Sequence, residues 1–296
     1  MPTAFITGLR GFTGKYLAQE LRAAGYHISG TVHGEAIENA EEFAVDLCDL
    51  NAIRKVIARV QPDVVAHLAA ISFVAHGDVD AIYRTNVMGT RNLLQALAEQ
   101  EKRPECILLA SSANIYGNSV EGLLAETTLP NPANDYAVSK LAMEYMARLW
   151  LDKLPIVIVR PFNYTGVGQT LNFLLSKIVD HFRRRAEVIE LGNLNIWRDF
   201  SDVRTVVNIY RRLIELAPAG ETFNICSGTA ASLGEVLDMM KRIAGYQIQV
   251  TVNPAFVRAN EVKMLCGDSS KLRGLIGQWE TPTLEETLRW MIDKRT

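Results

Sequence analysis

Three glycines at three-residue spacing, Gly8, Gly11 and Gly14, stand between a short apolar run, Ala4-Phe5-Ile6-Thr7, and a helical pattern from Phe12 to Ala24. A glycine turn between a strand and a helix lets backbone approach a ligand closely. The helix start adds amide groups and partial positive charge that suit a pyrophosphate. The spacing is Gly-x-x-Gly-x-x-Gly, not the Gly-x-Gly-x-x-Gly of the common dinucleotide fingerprint. Glycine turns recur in many strand–helix units, so the pattern gains force from its place after the first strand of a longer series. The expected ligand contacts there are Gly8, Arg10, Gly11, Phe12, Thr13 and Gly14.

That series is visible downstream. Apolar runs at His27–Val32, Asp63–Leu68, Cys106–Ala110 and Ile156–Val159 alternate with helical patterns, notably Val79–Glu101 and Tyr136–Leu151. Buried parallel strands read as continuous apolar runs joined by helices, so the fold class is α/β, a Rossmann-type doubly wound parallel sheet. After Pro161 the rhythm changes. Residues 163–198 carry one helix and polar loops, Ser201–Ala217 is helical, Thr222–Ile225 a short strand, and helices follow at Leu233–Ala244 and near Leu284–Ile292. The expected division is a dinucleotide domain of residues 1–162, to which 201–226 return, with 163–200 and 227–296 forming a smaller interleaved substrate domain.

A chain of 296 residues can bury a core without disulfides or metal. Its 31 basic and 33 acidic residues give a net charge of −2 with no basic arm, which argues against a general nucleic-acid binder. No stretch approaches the ~18 apolar residues of a membrane span. The start of the chain has no basic segment and no cleavage site, so no signal peptide is expected. Cys48, Cys106, Cys226 and Cys266 lack CxxC spacing or a nearby His pair, which predicts reduced thiols, no metal site and a cytoplasmic location.

Which dinucleotide binds is a charge question. An acid about 20 residues beyond the glycines normally holds the ribose hydroxyls of NAD. Here the second strand ends Thr31-Val32-His33-Gly34, and Arg10 sits inside the loop. Arg10 and His33 can meet a 2′-phosphate or be merely solvated; the expectation is NADP, with NAD possible. Asp46, beside Leu47, can accept from an adenine amino group or cap the helix starting near Asn51. His67-Leu68-Ala69-Ala70 puts small residues at a strand end where a cofactor would lie, and His67 itself reads as a packed histidine.

Tyr136 and Lys140 stand four apart on a predicted helix and share a face. An ammonium there can lower the phenol's pKa and grip a nicotinamide ribose, while the phenol serves as acid or base towards an alcohol or carbonyl. Ser111-Ser112 follows a predicted parallel strand at its carboxyl end, where such sheets place ligands. The serines can hydrogen-bond a substrate oxygen or simply cap the strand.

Taken in order, these residues resemble the extended short-chain dehydrogenase/reductases that modify nucleotide sugars. The resemblance spans essentially the whole chain. It includes the Gly8/Gly11/Gly14 loop, Asp46-Leu47, His67–Ala70, Asn86-Val87-Met88-Gly89-Thr90, Ser111 to Gly117, and Tyr136/Lys140. It implies that Ser112, Tyr136 and Lys140 are catalytic, and that Leu68, Ala69, Ala70, Asn86 and Phe162 join the cofactor site. Dehydratases of the family carry an acidic residue or pair just after the catalytic serine or threonine. This chain has Ala113 and Asn114, which disfavours elimination of water.

Arg160 to Gln169, Leu191-Gly192-Asn193-Leu194, Trp197 to Val203, Phe223 to Gly228 and Arg258 to Val262 are similar to the GDP-sugar branch. The expected substrate contacts are Ser112, Asn163, Gly192, Asn193, Arg198, Arg258 and Glu261. An arginine fork suits diphosphate oxygens, although Arg258 and Glu261 can also form a surface ion pair. Two loops depart from the branch pattern, reading Gly166-Val167-Gly168-Gln169 and Arg258-Ala259-Asn260-Glu261, each without its usual proline. The activity implied is NADP(H)-dependent reduction of the C4 ketone of GDP-4-keto-6-deoxy-D-mannose, giving GDP-D-rhamnose or its C4 epimer. The alternatives are an NAD(P)-dependent 4-epimerase, a 4,6-dehydratase and a non-catalytic nucleotide sensor. The resemblance also implies a homodimer or dimer of dimers, built on the helices near Val79–Glu101 and Tyr136–Leu151.

Overall fold

The computed structural model describes residues 1–34, 41–72, 77–118, 122–257 and 262–294. The strands in chain order are β1 (Thr3–Thr7), β2 (His27–Val32), β3 (Glu42–Ala44), β4 (Val64–His67), β5 (Cys106–Ala110), β6 (Ile156–Pro161) and β7 (Asn163–Thr165). They continue with β8 (Val188–Leu191), β9 (Trp197–Asp202), β10 (Thr222–Ile225), β11 (Ala230–Ser232), β12 (Gln249–Val252) and β13 (Met264–Leu265). The helices are α1 (Phe12–Ala23), α2 (Leu50–Val60), α3 (Val79–Tyr83), α4 (Thr90–Ala98) and α5 (Asp135–Arg148). After these come α6 (Leu174–Arg183), α7 (Val203–Leu216), α8 (Leu233–Ala244), α9 (Ser270–Ile276) and α10 (Leu284–Asp293).

The chain forms two compact units. One comprises Met1–Ile115, Asn134–Arg160 and Val207–Phe223; the other comprises Tyr116–Ala133, Pro161–Val206 and Asn224–Thr296. The main sheet has seven strands in the order β10-β6-β5-β4-β1-β2-β3. Its pairings from β6 across to β3 are all parallel. Central Phe5 sits between Ser29 of β2 and Val65 of β4. The strand order reverses direction between β1 and β4, the place where open α/β sheets take ligands beyond their carboxyl ends.

Helices on this sheet form where apolar residues repeat near the 3.6 period. Leu17, Ala18 and Leu21 make the buried stripe of α1, and Ile53, Val56 and Ile57 that of α2. Each such large side chain contributes about 1.5–3 kcal/mol by leaving water. Phe5, Ile57, Val65, Leu93, Leu97, Ile107, Leu109 and Met143 belong to one continuous core in the first unit. The cap of α2 is Asp49, whose carboxylate accepts from the amides of Asn51 and Ala52, both at 3.0 Å. Asp46 therefore does not cap this helix.

Two local features depart from the sequence reading. The stretch expected as one helix over 79–101 is α3, a π-helical segment at Arg84–Gly89, and then α4. A strand not foreseen, β3, extends the sheet beside β2.

The second unit holds more strand than expected for residues 163–198. β9 lies between β11, antiparallel, and β13, parallel, and also pairs with β7; β12 and β8 form a separate two-stranded sheet. Its core gathers Leu175, Ile178, Phe182, Ile189, Val236, Met240, Leu288 and Met291. Capping boxes start α8 at Ser232/Glu235 and α10 at Thr283/Glu286. Among the described residues no helix is long and apolar enough to cross a membrane.

Candidate active site

At the carboxyl ends of β1, β2 and β4 the first unit holds an open cleft of about 970 Å³, lined by Gly8, Arg10, Gly11, Thr31 to Gly34, Ala44 to Leu47, Ala69 to Ile71 and Thr85. Gly8 has φ +73°, a left-handed conformation that favours glycine. A side chain on Gly11 would place its Cβ 3.0 Å from the Gly8 carbonyl oxygen, and one on Gly14 would lie 2.8 Å from that of Leu9. Gly14 thus has no room for a side chain under the start of α1, and Gly11 has little. Gly11, the N-cap, brings no side-chain bond to the helix, and the first turn carries no acid, so its positive end suits an anion. Phe12 and Thr13 open that turn, half-buried. Volume, small-residue walls and this cradle fit an adenine dinucleotide.

The rim is polar. Arg10 pairs with Glu42 of β3 through contacts of 2.5 and 3.3 Å, a partner that the sequence reading missed. His33 is exposed beside it. Asp46 keeps an exposed carboxylate that accepts the amide of Cys48 at 2.8 Å.

Behind the cleft runs a buried network. His67 lies between two hydroxyls, with Nδ1 and Thr7 Oγ1 2.8 Å apart, and Nε2 and Thr90 Oγ1 also 2.8 Å apart. Thr90 donates its own hydrogen to the Asn86 carbonyl at 2.7 Å, so Nε2–H must be the donor to Thr90. Nδ1 then accepts from Thr7, whose oxygen in turn accepts the amides of Leu68 and Ala69, each at 3.1 Å. Burial, with the charge of Lys140 adding to it, pushes the imidazole down to about 3. His67 is a neutral, packed histidine. The Asn86 side chain holds the Ile71 backbone at 2.9 and 3.2 Å and donates to Ser139 Oγ at 3.0 Å, inside the Tyr136–Lys140 turn. Asn86 is thus a 1% exposed bracket on that turn.

Asn134 caps α5 by accepting the Ala137 amide at 2.9 Å. Tyr136 and Lys140, both buried, follow on one face of that helix. Lys140 Nζ donates to the carbonyl of Ala110, the last residue of β5, at 2.7 Å. Burial lowers its pKa to about 8, a shift opposed by the carboxylate of Glu144. Ser112, two residues past Ala110, accepts the backbone amide and the side-chain Nδ2 of Asn114, both at 3.2 Å. With its lone pairs so occupied, the Ser112 hydroxyl is set up to donate. The adjacent Ala113 is 1% exposed and brings no acid.

In the second unit Phe162 is 4% exposed and stacks on Tyr116, with ring centroids 6.1 Å apart. Asn163 is exposed, whereas Gly192 and Asn193 are half-buried in the turn after β8. A Cβ on Gly192 would meet the Phe256 carbonyl at 2.6 Å. Arg198 donates to the carbonyls of Trp197 and Lys263 at 2.8 and 3.3 Å. Arg258 and Glu261 lie outside the described residues.

Two buried groups of this unit were not assigned from sequence. Asp199 of β9 accepts from Ser227 N and Oγ at 2.8 and 2.7 Å, from Gly228 N at 2.9 Å and from Gly267 N at 3.4 Å. Burial raises its pKa against those bonds. Asn224 accepts the Tyr116 hydroxyl and donates to the Leu124 carbonyl, each at 2.7 Å. The signal for Asp199 was an acid between Arg198 and Phe200, which reads as readily as a substrate loop.

A doubly wound sheet, a glycine cradle and a serine, tyrosine and lysine set at the ends of β5 and on α5 define an oxidoreductase of the extended short-chain dehydrogenase/reductase class. Residues 5–291 match the family described as GDP-mannose 4,6 dehydratase, and the chain belongs to that family. It is 35% identical over 272 residues to a GDP-6-deoxy-D-talose 4-dehydrogenase of Aggregatibacter actinomycetemcomitans, covering 92% of this chain and 90% of that one. It is 31% identical over 296 residues to a GDP-6-deoxy-D-mannose reductase of Pseudomonas aeruginosa, covering 96% and 94%. Among solved structures, one from Burkholderia cenocepacia J2315, provisionally described as an epimerase, superposes with a TM-score of 0.93 at 56% identity over 99% of this chain and 97% of that one. The structure of RMD from Pseudomonas aeruginosa complexed with NADPH superposes with a TM-score of 0.85 at 29% identity, over 99% and 98%.

Proposed function

We propose that this chain is an NADP(H)-dependent reductase of the C4 ketone of GDP-4-keto-6-deoxy-D-mannose. The observation that carries the reading is Ser112, made a donor by Asn114 and followed by no acid, together with Tyr136 and Lys140 on the adjoining helix. Bound nicotinamide would supply the hydride. The chain's own residues handle the oxygen: Ser112 donates a hydrogen bond to it, and Tyr136 gives it the phenol proton. Lys140, as an ammonium, stabilises the phenolate that forms. Gly8, Gly11, Phe12, Thr13 and Gly14 would hold the pyrophosphate, and Arg10 with His33 the 2′-phosphate. Asp46, Leu47, Leu68, Ala69 and Ala70 would face the adenosine and nicotinamide parts, with Asn86 and Phe162 supporting them.

In this reading the second unit takes the GDP-sugar through Asn163, Gly192, Asn193 and Arg198, with Arg258 and Glu261 in the same role. The names of the two relatives denote C4 epimers, so either GDP-D-rhamnose or GDP-6-deoxy-D-talose is an acceptable product. A homodimer in the cytoplasm completes the proposal.

The provisional description of the 56% identical structure favours one second reading, a nucleotide-sugar 4-epimerase. The purified enzyme is expected to consume NADPH with the GDP-ketosugar, and Tyr136→Phe to slow turnover by about 10²-fold or more. Interconversion of 4-epimers on retained NAD, with no net consumption, would replace the reductase by the epimerase.

A further inference from the structure

Tyr136, Lys140 and Glu144 lie on α5 at successive four-residue steps and so share one face. Only the first two have a part in the chemistry above. Glu144 is 1% exposed and receives three donors: Arg160 Nε at 3.0 Å, Arg160 Nη2 at 2.7 Å and Ser111 Oγ at 2.5 Å. Arg160, near the end of β6, is itself 3% exposed, and so is Ser111.

The pairing has a direction. Lys140 grips the carbonyl of Ala110, Glu144 grips the hydroxyl of Ser111, and the next residue is Ser112. Two turns of one helix thus hold two consecutive residues of the strand end that presents the reacting hydroxyl. A buried ion pair of this kind seldom stabilises a fold more than apolar residues of the same volume would. Its specific yield is geometry and local charge. An anion one turn from a buried ammonium favours the charged form of that ammonium.

We propose that Glu144 is a positioning residue of the reaction, setting Ser112 through Ser111 and holding Lys140 as a cation. This rests on the roles given above to Ser112, Tyr136 and Lys140. The charged or titratable groups around Lys140 are Glu144 and Tyr136 on its own helix, His67 on β4, and Arg160 on β6 behind Glu144. His67 is neutral across the working range, so Glu144 is the group whose charge favours the ammonium.

The test is the pH profile of kcat for NADPH-dependent ketosugar reduction in Glu144→Gln, in Glu144→Gln/Arg160→Met and in Ser111→Ala. The double variant removes the buried cation that the single one strands, so one of the two is expected to fold. Loss of the carboxylate should move the alkaline limb down by about one pH unit, cutting kcat about tenfold at pH 8.5 and less than about threefold at pH 6.5. KM for NADPH should stay within about twofold. Ser111→Ala should lower kcat about fivefold with the limb in place, because the charge remains. Glu144→Asp should recover part of the alkaline activity.

A folded Glu144 variant with the wild-type limb overturns the proposal, as does a loss of kcat that follows the melting temperature across all variants. If neither Glu144 variant folds, wild-type kcat in Ser111→Ala overturns it and a lowered kcat supports it. Wild-type turnover in Tyr136→Phe and Lys140→Met would instead refute the underlying reaction, whatever Glu144 does.

Discussion

Lowering the pH from 7 to 5 should destabilise this protein through His67. The imidazole titrates at about 3 in the folded chain against 6.5 for an ordinary histidine. The unfolded chain therefore takes up a proton that the native chain refuses. Stability from this group is full above pH 6.5, falls as the pH drops below it, and levels off only near 3. At pH 5 the difference amounts to about 2 kcal/mol. The refusal has a local cause. Thr7 Oγ1 already accepts two backbone amides, so a proton on Nδ1 would leave the Thr7 hydrogen with no acceptor. The assay is urea unfolding at both pH values for the wild type and for His67→Gln, whose amide can accept from Thr7 and donate to Thr90 without titrating. Carboxylate contributions recur in both proteins and cancel in the comparison. The wild type should lose about 2 kcal/mol more than the variant between pH 7 and pH 5. Equal losses would refute the buried, neutral assignment.

Two substitutions test the rim and the second unit. Arg10→Ala should weaken NADPH binding by about tenfold or more while changing NADH binding less than about twofold, read by cofactor fluorescence titration, since only NADPH brings a 2′-phosphate to the guanidinium. Tyr116→Phe should cost about 1–2 kcal/mol in thermal unfolding, because Asn224 Oδ1 loses its 2.7 Å donor in a fully buried setting.

The sheet was readable because its strands are buried on both faces. His27–Val32 and Cys106–Ala110 stand in the structure at the bounds their apolar runs suggest. β3 escaped because Glu42-Phe43-Ala44 is three residues long, half-buried or exposed, and carries no alternation. The π segment at Arg84–Gly89 escaped because its buried positions are Asn86 and Gly89, which carry no apolar period to read. Packing accounts for its setting: a Cβ on Gly89 would lie 3.0 Å from Leu47, and Asn86 must reach the Ile71 backbone. The small strands of the second unit, β7, β11 and β13, are two or three residues long and have no period to read.

By itself the amino-acid order determined the class of fold, the glycine cradle and the Tyr136–Lys140 pair. These depend on neighbours within a turn or two, and local spacing expresses them directly. Which acid serves which distant partner was settled only by the tertiary structure: Glu42 on Arg10, Glu144 on Ser111 and Arg160, Asp199 on Ser227 and Gly228. Four of those pairings bridge 28 to 33 residues of sequence, and only the folded backbone makes them neighbours. A carboxylate reads the same in the sequence whether it ends up in water or in a core. Burial and the donors brought to it decide which it becomes.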